Sequence, residues 1–194
     1  MTIDLNDAGT QQSRDVLPDN CLVNVVLTVK PGGVGDDGTL TTAKDGNSEH
    51  LNCEFTVIDG EYAKRKIWAR LTVTGKNHAA AIDISRKTLK AILECARGIK
   101  PGDESDAAKA ARQVKSWADF DQLRVTARLG IEPPKNGFQA KNFIKEIITP
   151  DHASWKKLDQ VDRSTITAPT AAAAAAPEAA APPANAIARP DWAK

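Results

Sequence analysis

Residues 64–73, KRKIWARLTV, set cations and one aromatic at alternate positions: Lys64, Lys66, Trp68 and Arg70. In an extended chain successive side chains point to opposite sides. These four therefore share a face with Thr72, while Arg65, Ile67, Ala69, Leu71 and Val73 share the other. One face suits a core and the other suits a polyanion. Cations at strand spacing make a track for phosphates, and an indole among them offers a plane for an exposed base, worth about 1–3 kcal/mol per stacked base. A second run, QLRVTARLG at 122–130, turns Arg124 and Arg128 to one side. Tyr62 and the Lys64-Arg65-Lys66 turn before the first run, and Lys76 after it, extend the candidate set. The competing reading of such cations is that they solubilise a strand and guard an edge.

Other chemistry finds no foothold. GVGDDG, 33–38, satisfies G-x-G-x-x-G after a strand, but TLTTAKDGN does not begin a helix, and Asp36 and Asp37 would stand where a pyrophosphate belongs. It reads as a loop. His50, His78 and His152 are isolated, and there is no zinc spacing, nucleophile elbow or phosphate loop. The acidic pairs Asp36–Asp37 and Asp103–Glu104 read as solvated turns rather than a two-metal site. No metal, no cofactor and no enzymatic activity are expected. Trp117, Phe120, Phe138 and Phe143 read as packing residues. The helix cations Arg86, Lys87, Lys90 and Arg97 read as an ordinary outer face.

The elements that must hold these residues follow from periodicity. A polar, acidic leader, 1–20, ends in the turn LPDN. CLVNVVLTV predicts a strand over 21–30, and a Gly, Asp and Thr rich loop runs to about 47. HLNCEFTVID, 50–59, alternates as a half-buried strand and forms a hairpin with the opening run. A helix follows, with Asn77 as its cap, Ile82, Leu89, Leu93 and Ala96 on one side, and Gly98 as its stop. Residues 100–121 form a polar connection with short helical pieces at 106–114 and after Ser116. Strands over 122–130 and 141–149 complete the set. The order β-β-β-α-β-β is that of the OB-fold, a five-stranded, partly open barrel. The chain thus divides into the leader, a mainly β (β+α) OB-like domain at 21–150, a connector at 151–164, and a disordered Ala and Pro rich tail at 165–194 ending in Trp192.

The formal charge of +1 conceals a partition: residues 1–59 hold three basic residues against ten acidic, and 60–149 hold eighteen against ten. That asymmetry points to a polyanion partner. Cys21, Cys53 and Cys95, an odd and widely spaced set, read as small buried hydrophobes of a reducing cytosol. No window is apolar enough to span a membrane, and the N-terminus lacks a signal-peptide pattern, so the expectation is a cytoplasmic protein with no membrane partner.

The middle of the chain resembles a family of tailed-phage and prophage proteins long catalogued as a domain of unknown function. The stretches LNCEFTVIDGEYAKRKIWARLTV, AAAIDISRKTLKAILECARGI and LRVTARLGIEPPKNGFQAKNFIKEI carry the resemblance, over about 15–150. Its most specific part is Gly60, Tyr62, Arg65, Lys66, Trp68, Arg70 and Leu71, continued by Ile82 or Ile84, Arg86 and Leu89. The resemblance implies an OB-fold in phage replication and recombination modules that binds single-stranded DNA without strong sequence preference, with Arg65, Lys66, Trp68 and Arg70 at the site, in the cytoplasm of a bacterial host. Two departures stand out: Lys64 replaces the glycine usual before the Arg-Lys pair, and the 101–118 connection is longer.

The expected function is accordingly single-stranded DNA binding in replication or recombination. The alternative is an accessory or adaptor protein that binds replication proteins instead, with Trp192 of the tail as a hydrophobic hook. RNA is not separated from DNA by anything visible here. An open barrel edge leaves two uses for itself: a homo-oligomer contact, or cover by the leader.

Overall fold

Valine and leucine at every second position of Leu22–Lys30 form strand β1, along which Val23, Val25, Leu27 and Val29 are buried while Asn24, Val26 and Thr28 are partly exposed. The computed structural model describes residues 15–135 and 137–160. Around β1 they build an open antiparallel sheet with β2 (Leu40–Thr42), β3 (Ser48–Val57), β4 (Lys66–Gly75), β5 (Arg124–Glu132) and β6 (Lys141–Ile147). β1 pairs with β3 on one side and β5 on the other. β4 joins the far side of β3, β6 joins β5, and short β2 takes the end of β3 beyond β1. The two margins, β4 and β6, approach one another, and no ladder joins them among the described residues. The class is mainly β with one long helix, as expected.

Helix α1 (Ala79–Arg97) packs on β4, β5 and β6 through Leu89, Ile92, Leu93, Cys95 and Ala96. Gly98, at φ 70°, ends it as the sequence predicts, its N–H donating to the Glu94 carbonyl. The cap is different. His78 occupies the N-cap, and Asn77 lies one residue outside in the left-handed region at φ 63°, so it forms the tight turn from β4 instead. The long connection holds α2 (Asp106–Ala111), capped by Ser105, and a 3₁₀ turn at Trp117–Phe120, close to the pieces expected. Arg112 docks it by pairing with buried Glu94 (2.8 Å).

The observed elements depart from expectation in two further places. Six strands replace five because Leu40–Thr42 pairs with β3 inside the predicted loop, and three residues are too few to show alternation. The leader is not simply polar and loose: Leu17 is 3% exposed and belongs to the core. Its N–H donates to Asn142 Oδ1 (2.7 Å) and its carbonyl accepts from Asn142 Nδ2 (2.9 Å), which ties residues 15–20 to β6.

Cys53 and Cys95 are buried and Cys21 is half-buried, all three as free thiols. Burial pushes the Cys53 thiol up to about 12. Among the described residues no helix is long and apolar enough to cross a membrane. Residues 161–194, with the predicted tail and Trp192, lie outside the described residues, as do 1–14.

Candidate nucleic-acid interface

Alternation along β4 separates its two sides. Ile67 and Leu71 are buried, Ala69 and Val73 are half-buried, and Lys66, Trp68 and Arg70 are exposed. Trp68 keeps 66% of its surface open to solvent. In register with β3, Lys66 stands opposite Thr56, Trp68 opposite Glu54, Arg70 opposite Asn52 and Thr72 opposite His50. The outer face is thus a patch shared by two strands, and β1 adds Lys30, opposite Asn52.

Its centre holds a residue the sequence reading did not single out. Glu54 is 7% exposed, and its carboxylate accepts from Lys66 Nζ (2.9 Å) and Lys30 Nζ (3.2 Å). The Lys66 hydrogen bond is the main cause holding its carboxyl below the usual range, with Lys30 adding to it against the effect of burial. Only the hairpin register reveals that a glutamate stands opposite Trp68. A carboxylate between two cations fixes where they sit and competes with phosphate for them. Glu54→Gln is therefore expected to tighten binding to a polyanion, read by titration with oligo-dT at fixed salt. A carboxylate whose pKa is depressed by folding stabilises the fold above its unfolded value near 4.3, and that contribution is lost as pH falls through the folded value. The drop in thermal midpoint between pH 7 and pH 3 is accordingly expected to be smaller in Glu54→Gln than in the unaltered chain.

The remaining residues of the basic turn point elsewhere. The Arg65 guanidinium donates from Nη2 to the Asp15 carbonyl and so clasps the leader. Tyr62 is half-buried against the core, and burial is the first cause raising its hydroxyl pKa, with Glu61 adding to it. Lys64 is exposed and adopts φ 68°, its N–H donating to the Val57 carbonyl (2.8 Å). That left-handed conformation is the physical reason a glycine would suit this position. Lys64→Gly keeps the N–H and is expected to raise stability by about 0.5–1 kcal/mol, measured by urea denaturation. Lys76 lies exposed in the turn after β4, its N–H bound to the Asn47 carbonyl (3.1 Å).

Arg124 and Arg128 sit on β5, separated from β4 by β1 and β3, and are engaged within the fold. Arg128 Nε donates to Glu146 (3.0 Å), and its Nη2 lies 3.4 Å from His152 Nε2. Arg124 Nη1 reaches the Asp159 carbonyl (3.3 Å), while the Gln160 amide bonds both its N–H and its C=O (2.9 Å each). The chain after β6 thus lies along β5, and Trp155 anchors it to α1 through the Cys95 carbonyl (3.3 Å). Lys30, Lys66, Trp68 and Arg70 are brought together, and the β5 arginines are held apart from them.

Beyond Trp68 the face opens into two clefts. Arg70 lines one of about 540 Å³ with Lys44, His50, Asn52 and His78. Burial, and then Arg70, push the His50 pKa down, which keeps its imidazole neutral at pH 7. On the other side, Lys66 and Trp68 line a cleft with Lys141 and Asn142 over the β4–β6 seam.

Among the predicted packing aromatics, Phe120 is buried and Trp117 stacks on it with ring centroids 6.3 Å apart. Phe143, 40% exposed, lays its ring over Gly130 of β5, where a side chain would clash with it, whereas Phe138 departs from that expectation at 77% exposed. Phe138 lies in the β5–β6 turn, outside the strands on either side. The GVGDDG segment is a loop leading into β2, and Asp37 accepts from Thr39 N–H (3.1 Å), Thr39 Oγ1 (2.6 Å) and Ala118 N–H (3.0 Å). These bonds, that from the Thr39 hydroxyl foremost, lower its carboxyl to about 2. Among the described residues no group of three or more His, Cys, Asp or Glu could hold a metal ion. The chain matches no protein-family model and no curated protein sequence.

Proposed function

We propose that this chain binds single-stranded DNA without strong sequence preference and acts in phage or prophage replication or recombination, with no chemistry of its own. The observation that carries the reading is Trp68, 66% exposed at the centre of an outward strand face and flanked at alternate positions by exposed Lys66 and Arg70. An indole left so far in water adds little to the core, and an aromatic plane between two cations is what stacked bases and their phosphates require. The strand order β4-β3-β1-β5-β6, with a helix between β4 and β5, supports an OB-like reading, in which strands of this hairpin position carry oligonucleotides. The resemblance of about 15–150 to phage proteins points the same way.

In this reading Lys66, Arg70 and Lys30 track the phosphates while Trp68 stacks a base. Arg65 and Tyr62 shape the turn beside the site. Titrating a labelled 30-mer oligo-dT with the full chain tests the reading. The expected result is a rise in anisotropy with quenching of tryptophan fluorescence, and an affinity that falls steeply with salt, by about 0.7 decade per decade of salt for each phosphate neutralised. No change at low salt and micromolar protein would sink it.

A further inference from the structure

We infer that the bound strand passes from Trp68 across the β4–β6 seam to the β5–β6 turn, where Phe138 stacks a second base. The inference rests on the single-stranded DNA reading of the Trp68 face and adds a route and a second platform to it.

Three observations carry it. Phe138, at 77%, is more exposed than any other large hydrophobic residue described, so its ring contributes nothing to the core. Its cleft, lined also by Glu132, Lys135 and Lys141, adjoins the cleft of Lys66 and Trp68, and Lys141 lines both. The two aromatic planes therefore border neighbouring clefts that meet at Lys141. Its charge suits phosphate: Lys66, Lys135 and Lys141 stand against Glu132, which pairs with Lys141 at 3.1 Å, and Glu54, which pairs with Lys66 at 2.9 Å. Base planes separated by cations are what a single strand needs from a binding groove.

The opposite route, over β1 toward β5, offers less. Arg128 is held by Glu146 and His152, and Arg124 is bound to the chain at 159–160. A phosphate arriving there would have to break those contacts at both arginines, as it would at the ion-paired Lys66 and Lys141 of the seam, but the seam adds a third cation. Toward the seam, Lys135 has no ion-pair partner among the described residues.

The test uses the full chain and labelled dT oligomers of about 4 and about 16 nucleotides, the span of site sizes for one small barrel. Phe138→Ala is expected to weaken binding of the longer oligomer roughly 5- to 150-fold and to leave the shorter one within twofold, whereas Trp68→Ala weakens both. The thermal midpoint of Phe138→Ala should match that of the unaltered chain. Photocrosslinking with a 5-iodouracil-substituted oligomer should yield adducts on the peptides holding Trp68 and Phe138. If the unaltered chain binds but Phe138→Ala binds the longer oligomer equally well, or adducts fall on β5 and the 149–160 segment, the route is wrong and the Trp68 reading stands. If the unaltered chain binds neither oligomer, both fall.

Discussion

Trp68→Ala is expected to raise the Kd for oligo-dT roughly 5- to 150-fold, the loss of about 1–3 kcal/mol of stacking, with no change in thermal midpoint. The reasoning turns on exposure. The indole keeps 66% of its surface in water, while Ile67 and Leu71, its neighbours on the strand, close the core, so truncating it removes a binding surface and leaves the packing as it was. Trp68→Phe should retain much of the affinity, because an aromatic plane remains at the same register position. Lys66→Ala with Arg70→Ala should behave differently: the logarithmic salt slope should fall by about 1.4, two phosphate contacts at 0.7 each, while tryptophan quenching at saturation persists. Anisotropy titrations at several salt concentrations separate the two classes. A Trp68→Ala chain that binds as tightly as the unaltered one, with the double variant alone impaired, would leave an electrostatic track and no stacking.

The legible and illegible parts of this site differ in the range of the contacts that make them. The β4 face could be read because strand alternation is local: Lys66, Trp68 and Arg70 fall on one side whatever they pack against. The same holds for the Gly98 stop of α1, a property of one residue's backbone. Glu54 escaped because its role appears only once the β3–β4 register sets it opposite Trp68 and within reach of Lys30 and Lys66. The β5 arginines alternate as predicted, yet what occupies them arrives from 18 or more residues further along, for Arg128 from Glu146 and His152 (18 and 24 residues away) and for Arg124 from Asp159 and Gln160 (35 and 36 away). Phe138 reads as a packing residue in the sequence because aromatics usually are. Its position in a hairpin turn decides otherwise, and composition does not carry that information.

The leader shows the same limit and yields the largest stability effect expected here. Leu17 is a single apolar residue in a polar stretch, without periodicity to announce it, yet it is 3% exposed and lies at the seam where β4 and β6 approach without pairing. Two sheet margins left open would expose unpaired backbone and a route into the core. The Asn142 amide bonds both backbone groups of Leu17, Lys145 Nζ reaches Asn20 Oδ1 (2.7 Å), and the Asn20 N–H donates to the Leu129 carbonyl (2.9 Å). The leader therefore takes the place a sixth ladder would hold. Leu17→Ala is expected to lower unfolding stability by about 2–5 kcal/mol, the cost of a buried leucine side chain plus the cavity it leaves, read from the urea midpoint at unchanged slope. Asn142→Ala, which leaves two backbone groups of the seam without their partner, should destabilise by about 1–3 kcal/mol. Because Leu17 presents only its margin to the cleft of Lys66 and Trp68, oligo-dT affinity measured well below the midpoint should stay within twofold. A Leu17→Ala chain that unfolds at the unaltered urea concentration would mean that the seam is closed by β4 and β6 alone and that the leader merely rests on it.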